Sequence, residues 1–203
     1  MKRSTLAALC LLATCSEPTP AARFEPLDYD YLNKLRLDVE TVEIDDSWTP
    51  RSPGRHVEND APNLPRVVLR RMADERLLPG SATGRAIFVI DDASLVRVGD
   101  RYDGRFAVHL AVLGPDGAER GSAEVQVRGT RGVSGSGVDA VRADLYALTR
   151  KMMDDMNVEL EFQVRRSLRD LMQNTTPVVP PPDDVAAQSL KQPKLPPPSP
   201  PVE

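Results

Sequence analysis

The sequence contains only two cysteines, Cys10 and Cys15, and both lie within the first 15 of its 203 residues. The remainder of the chain therefore cannot form a disulfide or a thiolate metal site. A domain of this length can fold on its hydrophobic core alone, so the lack of disulfides is no obstacle to folding.

Histidine is equally scarce. His56 and His109 are the only two histidines, and their spacing matches no zinc-binding motif. His109 falls within a strand pattern and His56 within a loop, so neither is predicted to act in catalysis. No serine has an identifiable base partner. The sequence thus predicts a non-enzymatic protein with no catalytic residue, no metal site and no cofactor.

Two pairs of adjacent acids could be read as a general acid and base. Asp91 and Asp92 lie in a strand pattern, where neighbouring side chains point to opposite faces of the sheet. Asp154 and Asp155 lie in a helix pattern, where neighbours diverge by about 100°. Solvated surface charge is therefore the prediction for both pairs.

The charge balance and the hydropathy pattern exclude two further classes of protein. The formal net charge is −4, which argues against non-specific binding to nucleic acid, because that depends on clustered Lys and Arg. No apolar run approaches the ~20 residues needed to cross a bilayer as a helix. The sequence therefore predicts no nucleic-acid partner and no transmembrane helix.

The N-terminus has a basic start, Lys2 and Arg3, followed by a short apolar run that ends at Leu12-Ala13-Thr14-Cys15. This motif resembles the lipobox of Gram-negative bacterial lipoproteins, although Thr14 replaces the usual Gly, Ala or Ser. The resemblance implies cleavage before Cys15, acylation of Cys15 with palmitate-type chains, and a membrane-anchored protein that faces the periplasm. In such lipoproteins an Asp directly after the cysteine favours retention at the inner membrane. This chain has Ser16 at that position, so the resemblance implies the outer membrane. An ordinary secretory leader and an uncleaved anchor are the alternatives.

Composition divides the chain into four segments. Residues 1–14 are the predicted signal peptide, and residues 15–26 are a lipidated N-terminus and Pro-rich tether. Residues 27–172 are a single domain. Residues 173–203 hold ten of the 19 prolines and are predicted to be a disordered tail, either a spacer or a ligand for a groove-type partner domain.

Hydrophobic periodicity predicts the elements of the domain. Alternation over 34–45 predicts a half-buried strand with a bulge near Thr41, followed by a loop over 46–62. A stripe that includes Leu64 predicts a helix over 63–78, capped by Asn63 or Asp60. A second stripe predicts a long helix over 138–172, which either has a kink at Asn157 or projects beyond the domain at one end.

Three strands are predicted between the helices, over 85–98, 102–113 and 119–131. Residues 86–90 form a continuous apolar run, which predicts burial on both faces. The Gly-Pro-Asp-Gly run at 114–117 predicts a hairpin between the last two strands. The fold class is therefore α+β, with a roughly four-stranded mixed sheet, two helices on one face and the order β-α-β-β-β-α. The strands that flank the first helix should be parallel.

Trp48 and Met153 are the weak candidates for a binding site. Trp48 is the only tryptophan, and Met153 lies off the main stripe of a methionine cluster on the long helix.

The layout of anchor, tether and small α+β domain resembles that of small envelope lipoproteins. Examples are the lipopolysaccharide-assembly lipoprotein of the outer-membrane translocon and the auxiliary lipoproteins of lipid-exporting ABC transporters. This resemblance implies a lipid or protein partner in envelope assembly or transport. A small-ligand-binding domain with a groove between sheet and long helix is the second interpretation, and a hydrolase is the third.

Overall fold

The computed structural model describes residues 23–51 and 54–172, so the predicted signal peptide, Cys15 and the predicted tail lie outside the described residues. The elements follow in chain order: β1 (Leu35–Leu37), β2 (Thr41–Asp45), β3 (Arg55–His56), α1 (Pro65–Arg76), β4 (Leu77–Pro79), β5 (Arg85–Val98), β6 (Arg101–Leu113), β7 (Glu119–Gly132) and α2 (Val138–Ser167).

The α+β architecture is confirmed. The main sheet has the order β2-β5-β6-β7, and the short strand β3 also pairs with β5. Strands β2 and β5 are parallel and α1 connects them, whereas β5, β6 and β7 run antiparallel, as predicted. The two-residue strand β3 makes the sheet five-stranded, and a separate parallel pair joins β1 to β4.

The strand predicted over 34–45 is in fact two strands in two sheets. Leu35 and Leu37 are buried in β1, and the chain then turns at residues 38–40, where the Glu40 N–H bonds to the Gly84 carbonyl. The predicted bulge near Thr41 is therefore wrong. The change in the alternation marks a switch of hydrogen-bonding partner from β4 to β5.

The first helix is shorter than predicted and has no side-chain cap. Pro65 occupies its first turn, as expected, but Leu64 is exposed rather than buried. Asn63 donates instead to the backbone carbonyl of Glu25. The predicted loop over 46–62 contains β3 and a 3-10 turn over Glu58–Asp60.

Strand β5 alternates in burial rather than being buried on both faces. Ala86, Phe88 and Ile90 face the helices, whereas Ile87 and Val89 are only partly covered on the other side. Both helices therefore cover one face of the sheet and leave an open face. This corrects the prediction for residues 86–90.

The long helix α2 is continuous over 30 residues, or about 45 Å. The helix is not interrupted at Asn157, whose buried side chain donates to the Met153 carbonyl and accepts from Arg76. The helix packs directly on the sheet at two cross-strand partners, Gly104 and Gly129, where a Cβ would collide with Met152. Side chains thus fill the space where a ligand groove between sheet and helix was expected.

Residues 24–33, here called the N-terminal strap, lie along both helices. Phe24 belongs to the predicted tether, and its ring centroid is 5.1 Å from that of Tyr146 on α2. Backbone groups of the strap bond to four side chains of α1 and the residues before it: Asn63, Arg71, Glu75 and Arg76. The chain therefore enters the domain beside Phe24. No helix among the described residues is long and apolar enough to cross a bilayer.

Candidate functional site

The two residues proposed as weak binding candidates lie in different places. Met153 is fully buried in the core, so it presents no surface to a ligand. Trp48 is half-buried against the core and borders a cavity of about 400 Å³ that also touches Asp91 and Asp92. The structure does not bring Trp48 and Met153 together in one site.

The acidic pair Asp91–Asp92 was expected to diverge, but a bulge after Ile90 places both side chains on the open face of the sheet. Asp91 lies 2.7 Å from His109 Nδ1, and Asp92 forms an ion pair with Arg105 at 3.4 Å. Each carboxylate thus has its own partner. Among the described ranges, no group of three or more His, Cys, Asp or Glu side chains could hold a metal ion.

A cleft of about 290 Å³ lies at the end of the sheet, next to the start of α2. Three arginines from three elements border it: Arg55 from β3, Arg97 from β5 and Arg142 from α2. We call it the arginine cleft. Its full lining is Arg55, Val57, Asn59, Asp60, Arg97, Tyr102, Ser136, Val138, Val141 and Arg142.

The three guanidinium groups have no carboxylate partner among the described residues, whereas nine other arginines form ion pairs. Arg97 stacks on the Tyr102 ring at 5.9 Å, and Arg142 stacks on the Phe24 ring at 5.8 Å. Asp60 is the one acid in the lining, so the three arginines leave a local excess of two positive charges.

Arg55 and Arg97 are directly opposite each other in the β3–β5 pairing. Like charges at such cross-strand positions are destabilising. The sheet therefore holds two cations together without an anion between them. This arrangement favours an anionic ligand that would remove the repulsion.

Tyr102 supplies a second feature of the cleft. The residue is fully buried, and its hydroxyl has no hydrogen-bond partner in the part of the chain that the structure describes. A buried hydroxyl without a partner is costly. The hydroxyl is itself closed off from solvent, so the donors that a ligand in the cleft meets are the guanidinium groups.

Two buried carboxylates hold the walls of the cleft in place. One Glu58 oxygen accepts the Leu95 N–H at 2.9 Å and lies 2.7 Å from His56 Nδ1, which fixes the segment between Arg55 and Asp60 against β5. Asp144 accepts bonds from Arg131 and from both the N–H and the hydroxyl of Ser134.

Burial opposes ionisation of Asp144, but the hydrogen bonds from Ser134 and Arg131 outweigh burial, and the pKa of Asp144 is lowered. The carboxylate therefore stays charged at neutral pH and holds the loop at 134–137 at the start of α2. Ser136 in this loop lines the cleft.

A larger cavity of about 670 Å³ lies on the open face of the sheet and also contains arginines. Two of these are neutralised, because Arg101 pairs with Asp103 at 2.8 Å and Arg105 pairs with Asp92 at 3.4 Å. That leaves Arg128 as the one arginine in its lining without an ion pair among the described residues, against three in the arginine cleft. The arginine cleft is therefore the stronger anion site.

Sequence reasoning missed Arg55, Arg97 and Arg142. Each is more than 40 residues from the next along the chain, and the three occur in a loop pattern, a strand pattern and a helix pattern, respectively. The only local signal was the placement of Arg55 in a long loop, a class of segment that often carries function.

No protein-family model and no curated protein matches the sequence. One similar solved structure, from Caulobacter crescentus and provisionally described as a lipoprotein, is 16% identical, covers 62% of this chain and 88% of its own, and gives a TM-score of 0.39. Another, a DUF330 protein from Xanthomonas campestris, is 11% identical, covers 73% of this chain and 95% of its own, and gives a TM-score of 0.40. Neither likeness assigns a function to this chain.

Proposed function

We propose that this protein is a non-enzymatic lipoprotein of the Gram-negative cell envelope, anchored through Cys15, whose domain binds a phosphate-type anion in the arginine cleft. Binding of this ligand would make it an interaction partner in envelope assembly or transport. The lipobox-like Leu12-Ala13-Thr14-Cys15 supports the anchor.

The observation that carries the binding function is the set of three guanidinium groups around one cleft, none of which has a carboxylate partner among the described residues. Arginine presents several donors in a planar fork that matches the geometry of phosphate oxygens. Among the described residues that line the cleft, no nucleophile is paired with a base, so the cleft is suited to holding an anion rather than to transforming it.

The test measures binding of inorganic phosphate to the mature protein, purified from membranes in a neutral detergent. Titration calorimetry compares the wild type with a variant carrying Arg55→Gln, Arg97→Gln and Arg142→Gln. We expect affinity for phosphate to fall about tenfold or more, because charge-assisted hydrogen bonds are lost and 1.4 kcal/mol is a factor of ten.

The matched control replaces three exposed arginines that form no ion pair among the described residues, Arg36, Arg150 and Arg169, with glutamine. It removes the same total charge but leaves the cleft intact, so phosphate affinity should change less than about twofold by long-range electrostatics. Equal affinity in the cleft variant and the control, with both folded by circular dichroism, would contradict the proposed binding site.

A further inference from the structure

We infer that the ligand of the arginine cleft is the phosphate group of a phospholipid in the same membrane that holds Cys15. This inference rests on the proposed function and names the ligand of that site. The domain would then dock onto its own bilayer, with the cleft facing the headgroups.

The position of the cleft relative to the anchor supports this inference. Arg142 lines the cleft and also stacks on Phe24, the first residue of the N-terminal strap. Nine Cα-to-Cα steps lead from Cys15 to Phe24 (24 − 15), and even a fully extended chain of that length spans only about 30 Å. Anchoring at Cys15 therefore keeps this end of the domain close to the lipid headgroups.

This short connection also lowers the affinity for phosphate that the cleft needs in order to be occupied. Groups held by a short linker meet at an effective concentration in the millimolar range. A cleft that binds a single phosphate only weakly would therefore still be occupied when phospholipid headgroups surround it. Docking on lipids of the same bilayer requires no tight-binding pocket.

The apolar part of the lining fits the boundary between headgroup and acyl chain. Val138 and Val141 lie beside the arginines; Val138 is 73% exposed and Val141 is partly buried. An exposed aliphatic side chain next to unpaired cations matches a ligand that is anionic at one end and apolar at the other. A free inorganic anion would make no use of these valines.

The size of the cleft decides between docking onto a lipid and extracting it. Its volume of about 290 Å³ is at the lower limit of sites that enclose a small-molecule ligand, which hold ~300–1,000 Å³. The space between sheet and α2, which could have accepted acyl chains, is filled at Met152, Gly104 and Gly129. The cleft therefore holds a headgroup while the acyl chains stay in the bilayer.

The test exploits the lack of cysteine after residue 15. A cysteine is introduced by Asp139→Cys, at an exposed position in the first turn of α2 that does not line the cleft. The control is Asp154→Cys, also exposed on α2 and 15 residues further along, or about 22 Å away. Both replace an aspartate and leave no other free thiol in the acylated mature protein.

The acylated proteins are labelled with a fluorophore and reconstituted into phosphatidylglycerol–phosphatidylcholine vesicles that contain a headgroup-attached nitroxide quencher. We expect stronger quenching at residue 139 than at residue 154. Adding the three cleft substitutions Arg55→Gln, Arg97→Gln and Arg142→Gln should reduce the docked population about tenfold or more and abolish this difference. Vesicles made of a phosphate-free galactolipid should abolish it as well.

Each outcome separates lipid docking from the broader proposal. If the cleft binds inorganic phosphate in detergent but residues 139 and 154 are quenched equally, the lipid inference is overturned and the proposed function stands, with a free phosphate ester as the ligand. Preferential quenching at residue 139 that survives the cleft substitutions would overturn the inference too, because docking would then use another surface. Failure of the wild-type protein to bind phosphate in detergent would refute the proposed function itself.

Discussion

Buried charged side chains hold the ends of the elements of this domain together. Arg76 is only 1% exposed, yet it bonds to the Asn33 carbonyl, to Asn157 and to Glu161 at 2.7 Å. A buried guanidinium is tolerated only when its donors are satisfied. Arg76 therefore joins the strap, α1 and α2, and a change to an apolar side chain would leave the Asn33 and Glu161 oxygens without their donor.

Asp144 allows a test of such a buried charge through its pH dependence. The lowered pKa of Asp144 means that its contribution to stability is fully present above the unfolded pKa of about 3.9 and is lost as the pH falls through the folded value. Asp144→Asn should lower the free energy of unfolding by about 1–3 kcal/mol at pH 7, because charged hydrogen bonds are weakened.

Urea denaturation of both proteins between pH 7 and pH 3 measures this effect. The difference in free energy of unfolding between wild type and Asp144→Asn should begin to narrow below about pH 4, where Asp144 takes up a proton in the unfolded chain, and should keep narrowing towards the lowered folded pKa. Asp139→Asn, at an exposed aspartate without an ion pair among the described residues, is the control. A difference that stays constant down to pH 3 would show that Asp144 acts without its charge.

At the scale of elements, the contact between α2 and the sheet depends on two small residues. Gly104 of β6 and Gly129 of β7 are cross-strand partners, and the Met152 side chain of α2 lies over both. A Cβ at Gly129 would lie 2.8 Å from Met152 Cγ and 3.0 Å from Leu148 Cδ1. Close packing of this kind leaves no room for added atoms.

Gly129→Val should therefore destabilise the domain by about 1–3 kcal/mol through overpacking, even though valine is the better strand residue. Gly132→Val provides a matched control on the same strand, because a Cβ at Gly132 meets no atom within 4 Å. Thermal unfolding should give a lower Tm for the first variant and an unchanged or higher Tm for the second. Equal Tm values would mean that α2 does not pack as described.

At the scale of the whole molecule, the proposed function requires that one end of the chain be held in a membrane. Phe24 marks where the chain enters the domain, and the arginine cleft opens beside it. The predicted anchor at Cys15 and the cleft thus act on the same end of the domain. Stable attachment of this kind generally requires two or more acyl chains.

Cys15→Ser should release the protein from the membrane or leave its leader uncleaved, because serine cannot accept the thioether-linked lipid. Membrane fractionation with fatty-acid labelling and mass spectrometry of the N-terminus measures both results. Cys10→Ser is the matched control and should leave acylation unchanged, since Cys10 lies in the predicted leader. An unacylated wild-type protein whose N-terminus is a residue other than Cys15 would refute the anchor.

The sequence by itself determined the features that depend on local periodicity. Alternation predicted the β6–β7 hairpin, spacing of three and four predicted α2, and a helix between two strands predicted their parallel pairing. These predictions are confirmed because side-chain direction repeats with a fixed period within one element. The predicted leader rests on local sequence in the same way.

Tertiary structure alone decided the rest. The bulge after Ile90 put Asp91 and Asp92 on one face, a shift that alternation cannot show. Arg55, Arg97 and Arg142 meet only because β3 pairs with β5 and α2 packs at the end of the sheet. A site built from three distant arginines has no local signature, since each arginine alone resembles a solvated surface charge in the sequence. Only packing determines which of these arginines lack a carboxylate partner.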